Sequence, residues 1–262
     1  MTTLIFIISA IANAVISNIF KTSIYDYLAI QANGLFFQGY FWTPLTSVFM
    51  HAGFFHLFVN MFSLFFLGNF LETIIGRKRF FWFYLVSGIF ASLFFCVFAF
   101  ASGSNPWLIR LLGNSETFAV GASGAIFAIT GVLAVLTPKN KVYLILGPLI
   151  AIILQTIVLA IWDNSSVNAI LNTLISVYVL ISIFSIMSFS PSLRKIAMPI
   201  EMPFWAIPLA AIVPLMIISL FVDLPIGNTA HLGGFLFGVA YGFYLKIKYK
   251  KKVRLISEHF SR

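Results

Sequence analysis

Residues 120–131 read VGASGAIFAITG, an apolar stretch in which Ser123 lies between Gly121 and Gly124. Glycine costs about 1 kcal/mol in the interior of a helix. Three glycines and a single serine therefore stand out at the start of a segment that is otherwise apolar enough to lie in a membrane. A serine amid glycines also serves as a packing site between membrane helices, so a functional interpretation needs support from other parts of the chain.

The composition is that of an integral membrane protein. Of the 262 residues, 61% are hydrophobic and 9% are charged, whereas soluble domains carry about 25% charged residues. The single cysteine, Cys96, excludes an internal disulfide and a thiolate metal cage. The net charge of +9 does not indicate nucleic-acid binding, because the basic residues cluster at the ends of apolar runs. We expect no metal, no cofactor and no nucleic-acid partner, and the sequence carries no signal for an oligomeric state.

Eight apolar segments approach the roughly 20 residues that a membrane-spanning helix needs. They cover residues 4–20, 54–75, 80–101, 119–137, 142–162, 168–189, 203–222 and 229–246. The sequence therefore predicts an all-α polytopic membrane protein. The first segment is interpreted as an anchor, and prolines 208 and 214 are expected to kink the seventh.

The distribution of basic residues predicts the orientation of these segments. Fourteen of the 16 lysines and arginines follow segments two, four, six or eight, and only Lys21 and Arg110 lie on the opposite side. The positive-inside rule places the larger group in the cytoplasm. Both termini are then cytoplasmic, and residues 247–262 form a basic cytoplasmic tail. The long outer connection, 21–53, is rich in aromatic residues and is expected to lie at the membrane interface.

Four polar side chains are predicted to lie at similar depth near the outer face. Segments two, four and eight all run inward, and each carries its polar residues close to its start: His56 and Asn60, Ser123, and His231. Polar and ionisable residues inside a membrane are rare and indicate function by default. A histidine base can activate a serine nucleophile. His56, Asn60 and the backbone near Ser123 could donate hydrogen bonds to a developing oxyanion.

Small residues indicate that two of these helices approach closely. Gly234 and Gly238 follow His231 at four-residue spacing, and Gly124, Ala128 and Gly131 form a comparable stripe after Ser123. Such stripes allow the backbones of membrane helices to come together. Ser123 and His231 would then lie within hydrogen-bonding distance.

Three motifs resemble those of the rhomboid family of intramembrane serine proteases. HAGFFHLFVN is similar to the family's H-x-x-x-x-H-x-x-x-N, GASGAIFAITG to its G-x-S-G-x-x-x-A-x-x-G, and AHLGGFLFG to its A-H-x-x-G-x-x-x-G. LGNFLE resembles the family's L-G-x-x-x-E, although its Glu72 is interpreted as a helix-end charge that meets Arg77 or Lys78. The matched segments cover roughly half of the chain, and the resemblance implies one rhomboid-like helical bundle over residues 1–262 in the cell membrane.

The resemblance also implies a Ser–His dyad. Ser123 would be the nucleophile and His231 the general base and acid, while His56, Asn60 and the Ser123 N–H would form the oxyanion hole. His51 would shape the outer loop and the access of water. Glycines 121, 124, 234 and 238 would have supporting roles. Substrates in the family are single-pass membrane proteins that are cut near the outer interface.

The sequence departs from the family pattern in three places, and in one of them Trp42 is followed by Thr43 where the family's outer loop often has a Trp-Arg pair. Residues 142–189 would form an inserted helix pair added to a six-helix core, and a pair leaves the orientation of the following segments unchanged. Phe127 lies where many members have a tyrosine against the base histidine; it can stack on the ring but has no hydroxyl group. Segment seven and the loop 222–229 would correspond to the family's gating helix and cap.

Two other functions compete with proteolysis. A catalytically silent rhomboid-like protein would bind and escort membrane proteins, although such relatives usually lack the serine or the histidine. A transporter is disfavoured by the scarcity of carboxylates within the spans and by the absence of an inverted repeat in the sequence. Other intramembrane proteases fit less well, because the sequence has neither the zinc motif H-E-x-x-H nor a pair of aspartates within its spans.

Overall fold

The computed structural model describes residues 23–161, 165–188, 190–221 and 227–259. The first predicted span, 4–20, lies outside the described residues. Within them the chain is mostly helical. The helices are α1 (Tyr25–Leu28), α2 (Ala32–Phe37), α3 (Thr43–Thr46), α4 (Phe54–Ile75), α5 (Arg77–Ala101), α6 (Pro106–Leu112), α7 (Ser123–Leu136), α8 (Leu146–Ile161), α9 (Ser165–Met187), α10 (Pro191–Arg194), α11 (Ile207–Ser219), α12 (Asn228–Lys248) and α13 (Lys250–His259).

Among the described residues, three helices are long and apolar enough to cross a membrane. They are Phe54–Ile75, which includes one π-helical stretch, Arg77–Ala101 and Ser166–Met187. The spans predicted at 54–75, 80–101 and 168–189 are therefore confirmed as long apolar helices, with α9 ending at Met187. Helices α7 and α11 are apolar but shorter, at 14 and 13 residues.

Helix α7 is the centre of the bundle. Ten of its 14 residues are buried, and it packs against both α12 and α5. The contact with α12 is close because glycine faces glycine or alanine. A Cβ atom added at Gly234 would overlap the carbonyl oxygen of Gly124, and one at Gly238 would overlap that of Ala128. A Cβ atom at Gly131 would lie 2.5 Å from the carbonyl oxygen of Phe235. The predicted stripes of small residues therefore form the α7–α12 seam.

The outer connection is structured and lies against the start of α7. It contains the short helices α1, α2 and α3. The Ile30 N–H donates to the Ala119 carbonyl at 3.0 Å, and the Ala119 N–H donates back at 2.8 Å. Phe37 and Phe41 are 70% and 77% exposed, which agrees with a loop that meets the membrane interface.

The expectation of an entirely α-helical chain is wrong at one place. Lys141–Ile145 forms strand β1, which pairs antiparallel with β2, Pro199–Pro203. The helix predicted over 142–162 therefore begins at Leu146. Prolines at both ends of β2 are tolerated because a two-stranded sheet consists of edge strands alone, and the Lys141 ammonium lies 3.5 Å from the Glu201 carboxylate across the pair.

The predicted inserted pair corresponds to α8 and α9. Along the chain, β1 comes directly before α8, and β2 follows α9 after the short helix α10. The two helices pack against each other, and the Gln155 side-chain amide donates to Asn172 Oδ1 at 2.5 Å. After β2, residues Phe204–Ala206 form a 3-10 turn, so the seventh predicted segment becomes helical only at Ile207. Pro208 lies in the first turn of α11 and Pro214 inside it.

Candidate active site

Ser123 is the first residue of α7, and a break in the backbone just before it sets its position. Gly121 has a φ of +127°, a conformation that side chains other than hydrogen rarely allow. Its N–H donates to the Ser47 carbonyl at 2.9 Å, which holds the turn against the outer connection. Because the first N–H groups of a helix have no partner within the helix, the turn presents backbone donors beside the Ser123 hydroxyl.

His231 lies in the first turn of α12, directly across the glycine seam from Ser123. The distance from Ser123 Oγ to His231 Nε2 is 2.8 Å, within normal hydrogen-bonding range. The ring of Phe127 stacks on the imidazole, with centroids 4.5 Å apart and planes 25° apart. Two stretches of chain separated by 108 residues are thus joined at a serine–histidine contact.

His56 and Asn60 lie on one face of α4 and approach the turn before Ser123. A Cβ atom added at Gly121 would lie 3.0 Å from His56 Nε2 and 3.7 Å from Asn60 Nδ2. The Ala52 N–H donates to His56 Nδ1 at 3.4 Å, and this contact favours the tautomer that carries its proton on Nε2. Asn60 Nδ2 donates one hydrogen to the His56 carbonyl at 3.0 Å, which leaves its second amide hydrogen for another acceptor.

His51 is fully buried near the end of the outer connection, just ahead of α4. The Tyr25 hydroxyl donates to its carbonyl at 2.7 Å, and its ring lies edge-on to His56 with centroids 5.1 Å apart. Burial, helped by the neighbouring His56, lowers the pKa of His51 to about 4, although the contact with the Phe49 carbonyl opposes the shift. His51 is therefore neutral at physiological pH, and it joins the outer connection to the His56 side of the site.

Sequence reasoning missed the residues that hold the turn before Ser123. Ser47 supplies the carbonyl that accepts the Gly121 N–H, and its hydroxyl lies 3.2 Å from that of Ser92 on α5. The sequence carries no clear signal for this contact, since any residue type can supply a backbone carbonyl. The predicted cap lies largely outside the described residues, which omit 222–226. Within the described part of the chain, Glu72 forms no ion pair with Arg77 or Lys78, so that expectation is wrong.

A comparison with known protein families agrees with the motifs. The model of the Rhomboid domain matches residues 38–170 and 175–248, which is most of the chain. The chain belongs to the rhomboid family. The match extends from the outer connection to the end of α12, so it contains every residue of the candidate site described above except Tyr25.

Several curated rhomboid proteins are similar to parts of the chain. "Rhomboid protein 1, mitochondrial" of Saccharomyces cerevisiae is 38% identical over 104 residues, covering 39% of this chain and 27% of that protein. "Rhomboid protease GluP" of Bacillus subtilis is 32% identical over 111 residues, covering 42% and 19%. "Inactive RHOMBOID-like protein 8" of Arabidopsis thaliana is 46% identical over 57 residues, covering 22% and 16%. The matches thus span about a quarter or less of these rhomboid relatives.

Proposed function

We propose that the protein is an intramembrane serine endopeptidase that acts through Ser123 and His231. The observation that carries the proposal is the 2.8 Å contact between Ser123 Oγ and His231 Nε2 in a rhomboid bundle. A serine hydroxyl is a weak nucleophile until an adjacent base accepts its proton. A histidine in hydrogen-bonding contact meets the geometric requirement for that base.

The reaction follows from this contact. Ser123 Oγ attacks the carbonyl carbon of a substrate peptide bond while its proton moves to His231 Nε2. The protonated imidazole then gives that proton to the leaving amine, and an acyl-enzyme remains. A water molecule, deprotonated by the same nitrogen, attacks the acyl carbon and releases the second product together with the Ser123 hydroxyl. In the described residues no carboxylate hydrogen-bonds to His231, and its orientation is supported by the stacked Phe127 ring.

The negative charge that develops on the substrate oxygen would be stabilised from the α4 side. His56 Nε2 and the second hydrogen of Asn60 Nδ2 are the side-chain donors nearest to the turn at Gly121. The Ser123 N–H adds a backbone donor at the start of α7. Donors that are already in position before the reaction stabilise an oxyanion more effectively than water does, because they need not reorient.

The membrane setting limits the substrate class. The protein is a multi-pass membrane protein, and Ser123 is the first residue of a short apolar helix beside the structured outer connection. Membrane-protein substrates with a single spanning helix would present a peptide bond at this depth once that helix unwinds. One of the relatives is mitochondrial by name. For this protein we propose the cell membrane as the location. We further treat residues 1–262 as one domain, with α8 and α9 as an inserted pair.

A silent escort function is the second candidate, because one relative carries the word "Inactive" in its name. That function requires binding of membrane proteins and no activated serine. The contact between Ser123 and His231 favours proteolysis over it, and nothing in the described bundle favours transport.

Labelling with a fluorophosphonate tests the proposal directly. An activated serine reacts with this probe, whereas an ordinary serine does not. The detergent-solubilised wild-type protein is expected to be labelled, and the Ser123→Ala and His231→Ala variants are expected to remain unlabelled. Labelling that persists in Ser123→Ala would identify another nucleophile, and an unlabelled, folded wild type would favour the escort function.

The oxyanion donors give a graded prediction. His56→Ala and Asn60→Ala are each expected to lower the rate of substrate cleavage by about 100-fold to 1,000-fold, as the loss of an oxyanion donor does in other serine hydrolases. Initial rates on a fluorescent transmembrane substrate would measure this. Asn168→Ala removes an amide of the same type from α9, which packs mainly against α8 and the turn Lys195–Ala197 rather than against α7, and it is expected to keep the wild-type rate. Equal rates in all three variants would show that α4 supplies no donor.

A further inference from the structure

A groove lies between α5 and α12, toward the end of α12 that is opposite to His231. Its volume is about 460 Å³ and it is open to the outside of the bundle. The lining residues are Lys78, Arg79, Trp82, Phe83, Val86, Phe237 and Tyr241. Tyr241 is ten residues beyond His231 on α12, which corresponds to about 15 Å along the helix axis. The groove is therefore separate from the rhomboid site.

The groove changes from cationic to apolar along its length. Lys78 and Arg79 lie in the first turn of α5, and the remaining lining residues of that helix follow over about 12 Å toward the middle of the span. The floor is aromatic, since the Phe83 ring stacks on Tyr241 with centroids 4.9 Å apart. Trp82, which is 57% exposed, forms one edge at the level typical of interfacial aromatic residues.

The positive charge at the mouth is not compensated by the lining. No acidic side chain is among the seven residues of the groove, and within the described part of the chain neither Lys78 nor Arg79 forms an ion pair. The Arg79 guanidinium lies 5.2 Å from the centre of the Tyr249 ring, just beyond α12, and Lys248 lies against the same ring at 5.8 Å. Three cations thus converge where the helices leave the membrane.

We propose that this groove binds one anionic phospholipid from the leaflet on the basic side of the bundle. The phosphate would lie between Lys78 and Arg79, and one acyl chain would follow Trp82 and Val86 along the aromatic floor. Basic pockets between spanning helices on the cytoplasmic side suit anionic headgroups, and an arginine fork matches phosphate oxygens. The combination of a cationic mouth and an apolar slot that lies within the span fits a lipid rather than a soluble anion.

A second groove on the chain provides a matched comparison. It lies beside β1 and β2 and is lined in part by Lys139 and Lys141, but it also contains the carboxylate of Glu201, which is paired with Lys141. Its positive charge is therefore partly neutralised. Removal of two lysines there changes the net charge by the same amount as removal of the two cations at the α5–α12 groove.

Native mass spectrometry of the purified full chain in detergent would test the proposal. The probes are phosphatidylglycerol and phosphatidylcholine with identical acyl chains. We expect a one-to-one adduct that prefers phosphatidylglycerol. The double variant Lys78→Gln/Arg79→Gln is expected to weaken it by about 30-fold, since each cation near the membrane strengthens attachment of anionic lipid about fivefold. The control Lys139→Gln/Lys141→Gln is expected to bind as the wild type does.

Val86→Trp keeps all of the charges and fills the acyl slot, so it is expected to lose the adduct as well. Val86 is 48% exposed, so the larger side chain does not enter the core and the variant is expected to fold. Equal binding of the two lipids, an equal loss in the control pair, or an unchanged adduct in Val86→Trp would each overturn the proposal. Competition by millimolar inorganic phosphate would also overturn it, because the site would then bind an anion and not a lipid.

Discussion

The Ser123→Ala variant is expected to lose cleavage of a transmembrane substrate by at least about 10,000-fold, since removal of the nucleophile of a serine protease has an effect of that order. His231→Ala is expected to lose a similar amount, and the double variant no more than either single variant. Such non-additivity follows when two residues act as one unit. Their 2.8 Å contact is the structural basis for that expectation. Gel-based cleavage of a purified substrate in liposomes would measure the rates.

The matched control for this prediction is Ser87→Ala. Ser87 is buried on α5, and its hydroxyl donates only a local bond to the Tyr84 carbonyl at 3.2 Å. We expect the control to fold and to cleave as the wild type does. Wild-type cleavage by a folded Ser123→Ala variant would refute the proposed nucleophile. Additive losses in the double variant would instead show that the two side chains act independently.

The Gly238→Val variant is expected to lose about 3 kcal/mol or more of stability, at the upper end of the usual cost of overpacking. A Cβ atom at this position would overlap the backbone carbonyl of Ala128. A backbone group cannot rotate away as a flexible side chain can. The two helices would have to separate, and the serine and histidine would separate with them. Thermal unfolding in detergent measures the first effect, and fluorophosphonate labelling measures the second.

Gly53→Ala is the comparison for the glycine seam. No atom would lie within 4 Å of a Cβ added at Gly53, and its φ of 173° is extended backbone that any residue adopts. We expect its unfolding temperature to stay within a degree or two of the wild type, in line with surface changes of under about 0.5 kcal/mol. If Gly238→Val were as stable as Gly53→Ala, close contact between α7 and α12 would not be needed for stability.

The contact at the centre of the candidate site could be predicted because it depends on local patterns. Segments four and eight run in the same direction, and the distribution of basic residues shows which way, so Ser123 and His231 are expected at one depth. The four-residue glycine spacing brings their helices together. These inferences need only the distribution of charges along the chain, the periodicity of a helix and the location of small residues. The ring contact of Phe127 with His231 is expected from the resemblance to rhomboid proteins, many of which have a tyrosine at this position.

Other features could not be predicted, because they depend on pairing between distant segments. Strand β1 lies within an apolar run that reads equally well as the start of a helix, and only its partner β2, more than fifty residues later, distinguishes the two. The positive φ of Gly121 depends on the Ser47 carbonyl in the outer connection. The helix predicted to start at residue 119 therefore begins at Ser123, after the paired Ala119 and the turn at Gly121.

The antiparallel pairing of β1 with β2 has a consequence for the design of a shortened chain. Lys141 is directly opposite Pro203, and partners in such a ladder have Cα atoms about 5 Å apart. The two ends of the segment that carries α8 and α9 thus lie side by side, so a variant without that segment could be joined across the ladder. A junction of one or two residues would close the gap, and the surrounding helices would keep their places.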